Sequence, residues 1–169
     1  MLRFSIDETP FVGENPEQYV TRMSIEKAEE GFRIVGGLAS VTLPLLAADT
    51  IVVADGEILG KPDSEQQGLV MLRLLSGSTH RVITAVTILS ASGIETVSSD
   101  TEVTFRALRK SEIKAYWDSG EPADKAGGYA IQGLGSIFVS HIKGSYSGVV
   151  GLPLNETAGL LESVGIRCL

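Results

Sequence analysis

Four charged residues lie beside predicted turns or on predicted helices and strands, where they could bind a phosphorylated ligand. Lys27 falls on the apolar stripe of a predicted helix, Asp49 lies inside an apolar strand pattern, and Lys61 directly follows the next strand. Lys125 belongs to the segment DKAGGYAIQGLGSIF (residues 124–138), in which four glycines precede an apolar run. Lysines beside carboxylates and glycine loops could together hold phosphate groups around a metal ion.

Each of these residues also has a purely structural interpretation. A lysine on the same stripe as Val20 and Met23, such as Lys27, is typical of a side chain that lies along the rim of the core and exposes its amine. Asp49 is either a strand-edge residue satisfied by backbone N–H groups or a carboxylate held on a rigid element for metal or proton chemistry. Gln132 either contacts a ligand or belongs to a simple turn. The residues alone leave these alternatives open.

Several common catalytic motifs do not fit this chain. A dinucleotide fingerprint follows a strand and opens a helix, whereas these glycines precede a predicted strand over 136–143. We interpret His80 as a hydrogen-bonding turn residue in preference to a catalytic base, and His141 as a surface residue. Two histidines and one cysteine cannot form a closed Cys/His zinc site, so any metal would be a hard, carboxylate-bound ion.

Interleaved helices and strands must position these residues. A helix begins at Asn15-Pro16 and is expected to end at Gly31, and Asp55-Gly56 predicts a tight hairpin between two strands within 43–60. The later elements are predicted as a helix capped by Asp63 or Ser64 that ends at Gly77, strands over 79–90 and 94–108, a helix capped by Ser111 that runs to Trp117, a strand over 136–143, a loop over 144–151 and a helix from Pro153 to Val164. This order predicts one α/β (mixed α+β) domain with a mixed sheet flanked by helices.

The composition excludes several classes of protein. The 169 residues carry a net charge of −7, and no Lys/Arg cluster is longer than Arg109-Lys110, so we expect no nucleic-acid binding. No apolar stretch approaches the roughly 20 residues of a membrane span. The N-terminus lacks a signal-peptide pattern, and the single Cys168 can form no intrachain disulfide. These features favour a cytoplasmic protein.

Short motifs spread over most of the chain occur in an order typical of one family. They are Ala48-Asp49-Thr50, DGEILGKP (55–62), MLRLLSG (71–77), Thr79-His80, VTF (103–105), GEP (120–122), DKAG (124–127), Tyr129, IQG (131–133) and VGLP (150–153). From about Ile6 to about Glu162 the sequence resembles the Maf family of house-cleaning nucleotide pyrophosphatases. The resemblance implies a single Maf-like domain over 1–169, with a twisted mixed sheet in two lobes, a central cleft between them, and a homodimer.

The resemblance also implies roles for five residues. Lys27 and Lys61 match lysines that face the phosphates, and Glu8 matches a carboxylate that lines the same cleft. Asp49 matches the aspartate proposed as general base or metal ligand, so Asp49 and Glu8 are the predicted ligands of Mg²⁺, Mn²⁺ or Co²⁺. Gln132 matches the glutamine typical of the branch that acts on dTTP and UTP. The implied reaction is hydrolysis of a pyrimidine nucleoside triphosphate to the monophosphate and pyrophosphate.

One family element has no counterpart in the sequence. Maf proteins open with a strand, a loop that reads S-x-S-P-R-R and a helix, whereas here Met1 stands close before Ile6. The expected alternatives are a true start upstream of Met1 or a shortened member that has lost activity with its arginine loop. The missing loop favours a first alternative function, a non-catalytic nucleotide-binding or cell-division regulatory protein. The 7-methyl-GTP pyrophosphatase branch of the family is a further alternative.

Overall fold

The computed structural model describes residues 6–36 and 43–169, which form helices interleaved with strands. In chain order these elements are α1 (Pro16–Ile34), β1 (Leu45–Ala54), β2 (Glu57–Leu59), α2 (Glu65–Leu75), β3 (Thr79–Ser90), β4 (Gly93–Phe105), α3 (Lys110–Asp118), β5 (Val139–Lys143), α4 (Tyr146–Val150) and α5 (Leu154–Ser163). Three 3-10 turns, at Glu121–Asp124, Ala126–Gly128 and Leu134–Phe138, connect α3 to β5. The predicted interleaved domain is confirmed. The expectation about the segment before Ile6 lies outside the described residues.

Helix α1 begins where the sequence predicts and ends later. The Asn15 side chain accepts a hydrogen bond from the Gln18 backbone at 2.8 Å, and the Gln18 side chain accepts one from the Asn15 backbone at 3.1 Å. This reciprocal capping satisfies two backbone donors at the helix start. The predicted end at Gly31 is wrong, because Gly31 is buried within the helix and the left-handed backbone comes at Gly36, with φ of 93°.

The hairpin predicted at Asp55-Gly56 is confirmed. Both residues have positive φ, 52° and 84°, and Ala54 pairs with Glu57 across the turn. A two-residue turn with two positive φ angles matches the twist of antiparallel strands. Strand β2 is short and pairs only with residues 52–54 of β1. Within the described ranges, no strand of the sheet pairs with residues 45–51 of β1 on this side.

The strands form one sheet in the order β2-β1-β3-β4-β5. All four pairings in it are antiparallel, whereas the sequence predicted a mixed sheet. The difference has a topological cause. Strands β2 and β3 run in the same direction through the crossover helix α2, but β1 lies between them, so no parallel neighbours arise.

Helices cover both faces of the sheet. Alternate residues of a strand point to opposite faces, and Ile51, Val53 and Ile83 pack against α1 on the first face. On the second face, Val52 and Val82 pack with α2, α3 and the segment around Tyr129. Farther along that face, Val86, Ile88 and Leu160 join β3 to α5. The second face therefore carries two separate clusters of packed side chains.

The later elements differ in detail from their predicted bounds. Helix α3 begins at Lys110, and the Glu112 carboxylate accepts the Arg109 N–H at 2.9 Å, so Ser111 is not its cap. Strand β5 begins at residue 139, because residues 134–138 form a 3-10 turn. The predicted loop over 144–151 contains the five-residue helix α4, which Ser145 caps. Helix α5 begins at Leu154, one residue after the predicted start at Pro153, which is its N-cap residue.

Candidate active site

The structure brings Glu8, Lys27, Asp49 and Lys61 together at one end of a cleft. The Lys27 amine contacts the Asp49 carboxylate and lies 3.2 Å from Oε1 of Glu8. The side chains of Lys27 and Asp49 are only 20% and 13% exposed. Lys27 is therefore a cation directed into this cleft rather than an amine extended into solvent. Asp49 faces a lysine, not the backbone N–H groups of the structural alternative.

Three elements position this polar group. Asp49 lies on β1 opposite Ala85 of β3, on the sheet face that α1 covers. Lys27 projects from the middle of α1. Glu8 lies on the segment before α1, and the Tyr19 hydroxyl holds this segment by donating to the Glu8 carbonyl at 2.8 Å.

Burial and charge shift the pKa values of the central pair. Burial raises the pKa of the Asp49 carboxyl above its ordinary value, against the opposing effect of the Lys27 charge. Burial tends to lower the pKa of the Lys27 amine, but the charges and hydrogen bonds of Asp49 and Glu8 raise it overall. Lys27 thus stays charged, whereas Asp49 becomes more basic than a free aspartate. A more basic carboxylate accepts a proton more readily at neutral pH.

Lys61 lies where the two halves of the cleft meet, just after β2. The neighbouring Gly60 carbonyl accepts the Gly127 N–H at 3.0 Å, which attaches the glycine cluster to this loop. Gly127 has φ of 66°, and a Cβ there would lie 2.9 Å from the Val52 side chain. Glycine at position 127 therefore allows the backbone to pack directly on β1, and the preceding Lys125 and Ala126 line the cleft.

The second half of the cleft has a volume of about 260 Å³, and Val52 and Val82 of the second face line it. Gln132, Tyr129 and Lys125 line it, and Val149 and Val150 of α4 form the opposite side. Gln132 is exposed to this space, and Lys125 pairs with Asp124 at 2.6 Å. The structure thus places Gln132 in the same continuous cleft as Asp49 and Lys61.

The side chain of Tyr129 is hydrogen-bonded to the buried side chain of His80. The His80 Nε2 and the Tyr129 hydroxyl are 2.9 Å apart, and His80 is only 2% exposed. Burial lowers the pKa of His80 to about 4, so the ring is neutral at physiological pH. His80 does form a hydrogen bond as predicted, but it lies within β3 and not in a turn. His141 is exposed on β5, as predicted.

Sequence reasoning missed two residues behind Gln132. The Glu121 carboxylate accepts hydrogen bonds from the backbone N–H groups of Leu134 and Gly135, and the Tyr116 hydroxyl accepts one from Ala130. The only local signal was the GEP motif that contains Glu121, which follows α3 and precedes the glycine cluster. Tyr116 carries no separate signal, because its spacing on α3 is that of a core residue.

Comparison with known proteins agrees with this arrangement. The family model described as Maf-like protein matches residues 1–164. The chain belongs to the Maf family. Three curated relatives in it are each named dTTP/UTP pyrophosphatase. The protein of Alkalilimnicola ehrlichii is 49% identical over 162 residues, which cover 95% of this chain and 80% of the relative. That of Pseudoalteromonas atlantica is 50% identical over 98% of this chain and 85% of its own length, and that of Chromobacterium violaceum is 48% identical over 98% and 84%.

The charges that the described residues bring to this Maf cleft are balanced. They belong to three lysines and three carboxylates: Lys27, Lys61, Lys125, Glu8, Asp49 and Asp124. In the part of the chain that the structure describes, no three His, Cys, Asp or Glu side chains cluster as a metal site. Mg²⁺ commonly needs only one or two carboxylates, because substrate phosphates and water supply its other ligands. Glu8 and Asp49, both beside the Lys27 amine, fit such a shared site.

Proposed function

We propose that the chain is a nucleoside triphosphate pyrophosphatase that hydrolyses dTTP and UTP to the monophosphate and pyrophosphate. One observation carries the proposal: Gln132 lines the same pocket as Asp49 and Lys61, and these two residues also line the adjoining pocket that contains Lys27 and Glu8. Membership of the Maf family and the name of the curated relatives, dTTP/UTP pyrophosphatase, support it.

The proposed reaction uses the cleft residues in distinct ways. A water oxygen attacks the α-phosphorus, and the bond from this phosphorus to the oxygen that bridges to the β-phosphate breaks. The Asp49 carboxylate accepts the proton of the attacking water, for which its raised pKa is suited. Lys27 and Lys61 neutralise the charge that develops on the departing pyrophosphate.

A divalent cation is part of the proposal. Among the described residues, the lysines of the cleft do not outnumber its carboxylates, and Mg²⁺, Mn²⁺ or Co²⁺ would supply further positive charge for a triphosphate. Glu8 and Asp49 would hold the ion together with the substrate phosphates. When bound, such an ion neutralises phosphate charge and makes water more acidic.

Gln132 is the proposed reader of the base. A glutamine amide offers both a donor and an acceptor, which can match the edge of uracil or thymine. Its position in the half of the cleft remote from Lys27 suits a ligand whose base and phosphates lie at opposite ends. The cytoplasmic location and the homodimer remain predictions. Among residues 6–36 and 43–169, no helix has the length and apolarity needed to cross a membrane.

The decisive experiment measures pyrophosphate release from UTP, dTTP, GTP and 7-methyl-GTP with Mg²⁺ or Mn²⁺. We expect release from UTP and dTTP, and a loss of about 100-fold or more in kcat for Asp49→Asn, since a general base contributes about 10²–10⁴. Gln132→Ala should lower the preference for UTP over GTP about tenfold, the effect of about one hydrogen bond. Full activity in Asp49→Asn would refute the role of Asp49. Binding of UTP without pyrophosphate release would support the non-catalytic alternative. Faster turnover of 7-methyl-GTP than of UTP would support the 7-methyl-GTP pyrophosphatase branch.

A further inference from the structure

We propose that the side chains of Tyr116 and Glu121 form a clamp that fixes residues 130–135, so that Gln132 faces the base. By holding Gln132 in this position, the clamp sets the preference for pyrimidine nucleotides. Both are positioning residues, since they act through Gln132 and line neither half of the cleft. The inference rests on the proposed function, because it concerns the base-binding half of the same cleft.

The clamp holds the backbone on both sides of Gln132. Oε2 of Glu121 accepts the Leu134 N–H at 2.8 Å, and Oε1 accepts the Gly135 N–H at 3.0 Å. The Tyr116 hydroxyl donates to Oε1 at 2.7 Å and accepts the Ala130 N–H at 3.0 Å. One continuous chain of hydrogen bonds therefore joins position 130 to positions 134 and 135.

Gln132 depends on this support for its position. Its side chain is exposed and makes no hydrogen bond within the described residues. The preceding residue, Ile131, is buried in the core. Packing of Ile131 therefore fixes the segment in addition to the hydrogen bonds of the clamp on either side of Gln132. A side chain that must read a base needs a backbone held in the productive geometry.

Two glycines show how closely the clamp contacts the segment. A Cβ at Gly133 would lie 2.2 Å from a carboxylate oxygen of Glu121. A Cβ at Gly135 would lie 2.7 Å from the Tyr116 hydroxyl oxygen and 2.8 Å from the Ala130 carbonyl oxygen. These distances are shorter than any real Cβ contact, so the clamp packs directly on bare backbone. This contact explains why glycines stand at positions 133 and 135.

The carboxylate of Glu121 must be ionised to serve as the acceptor. Burial works to raise its pKa, but the hydrogen bonds from Tyr116, Gly135 and Leu134 lower it below its ordinary value overall. In Glu121→Gln, the amide NH₂ would replace one of the two acceptor oxygens and would face a donor. At least one bond of the clamp is then lost, while the size of the side chain is kept.

The test measures binding by calorimetry with Mg²⁺ and the α,β-methylene analogues of UTP and GTP, in which the bond to be cleaved is blocked. The proteins are the wild type, Glu121→Gln, Gln132→Ala and the double variant. We expect Glu121→Gln to lower the ratio of the GTP-analogue Kd to the UTP-analogue Kd about tenfold. In the Gln132→Ala background, the same change should alter this ratio less than about twofold, because residues that act through one contact are not additive.

Glu112→Gln is the matched control. Glu112 also accepts a backbone N–H, from Arg109, and pairs with Arg106 at 2.8 Å, but it lines neither half of the cleft. This variant should lower the melting temperature without changing the Kd ratio. If Glu121→Gln fails to fold, Gly133→Ala displaces the clamp from the other side and should give the same tenfold loss.

Three results would overturn the clamp: a Kd ratio in Glu121→Gln equal to that of the wild type, the same change in this ratio with and without Gln132, or a wild type that binds both analogues equally well. A different result would refute the proposed activity. A wild type that prefers the UTP analogue but releases no pyrophosphate from UTP would refute the enzyme, and the Kd ratios would still decide the role of the clamp.

Discussion

Lys27→Met tests the central ion pair of the cleft in the most direct way. Methionine keeps most of the length and the apolar stem of lysine but removes the amine that contacts both Asp49 and Glu8. Two carboxylates then remain close together, and Asp49 is 13% exposed. The substitution should destabilise the folded protein through an uncompensated, largely buried charge.

The size of this effect follows from the exposure of the pair. Removing one partner of a fully buried pair costs about 3–5 kcal/mol, and a fully exposed pair contributes about 0–1 kcal/mol. Lys27 and Asp49, at 20% and 13% exposure, lie between these cases. We expect a loss of about 2 kcal/mol, or about 4–8 °C in melting temperature for a chain of this length.

The loss should depend on pH in a direction set by Asp49. The folded-state pKa of Asp49 is raised, so its stabilising contribution is complete below its ordinary pKa and is lost as the pH rises through the raised value. Without Lys27, which lowers this pKa, the value rises further. Lys27 itself does not titrate between about pH 4 and pH 8, because its pKa is above the ordinary value for lysine. The deficit of Lys27→Met should therefore shrink as the pH falls from about 8 to the ordinary pKa of aspartate, about 4.

The assay is thermal unfolding followed by circular dichroism in EDTA, with both proteins compared at each pH. Lys114→Met is the matched control, because Lys114 also faces two carboxylates, Asp118 and Glu65, but all three side chains are about half exposed. It should cost less than about 1 kcal/mol. An Asp49→Asn change added to Lys27→Met should restore part of the loss. A melting temperature equal to that of the wild type, or a deficit that is the same at both pH values, would refute the reasoning.

Two further predictions concern the core. Gly68→Ala should destabilise the protein by about 1–3 kcal/mol in urea unfolding, because the new Cβ would lie 2.1 Å from the Trp117 ring. Gly159→Ala is the control: a Cβ at this helix position would have no neighbour within 4 Å, so the change should be neutral or stabilising by up to about 1 kcal/mol. Since burial lowers the pKa of His80 to about 4, stability linked to this residue is present above about pH 6.5 and is lost as the pH falls towards 4, by about 3 kcal/mol in total. In His80→Asn, the free energy of unfolding measured in urea should therefore depend less on pH between about pH 6.5 and about pH 4. The same pH dependence as in the wild type would contradict the lowered pKa of His80.

Local signals predicted the elements whose cause is local. Asp55-Gly56 specifies its hairpin because few residues tolerate two successive positive φ angles. Asn15 and Pro153 mark helix starts because capping depends on residues a few positions apart. The helix end predicted at Gly31 was wrong because a glycine can also lie buried inside a helix. The glycine with left-handed backbone lies five positions later, at Gly36.

Contacts between distant parts of the chain were beyond local reasoning. The pairing of Lys27 with Asp49 joins α1 to β1, and its sequence signal was only a lysine on an apolar stripe. The family resemblance supplied the grouping with Glu8 and Lys61, which the geometry then placed in one cleft. Glu121 was found only in the structure, because its partners are backbone N–H groups 13 and 14 residues away, and backbone groups leave no trace in a sequence pattern.

The short β2 has a consequence for how the protein behaves at high concentration. Because β2 pairs only with residues 52–54, the stretch LLAADTI (45–51) of β1 borders the cleft with an edge that no described strand covers. An uncovered edge can recruit a strand from another molecule, and charged side chains oppose such aggregation. Asp49 is the single charge in these seven residues. Asp49→Asn should thus self-associate more readily than the wild type in light scattering. On this reasoning, the carboxylate proposed for catalysis would also hinder the addition of a foreign strand at this edge.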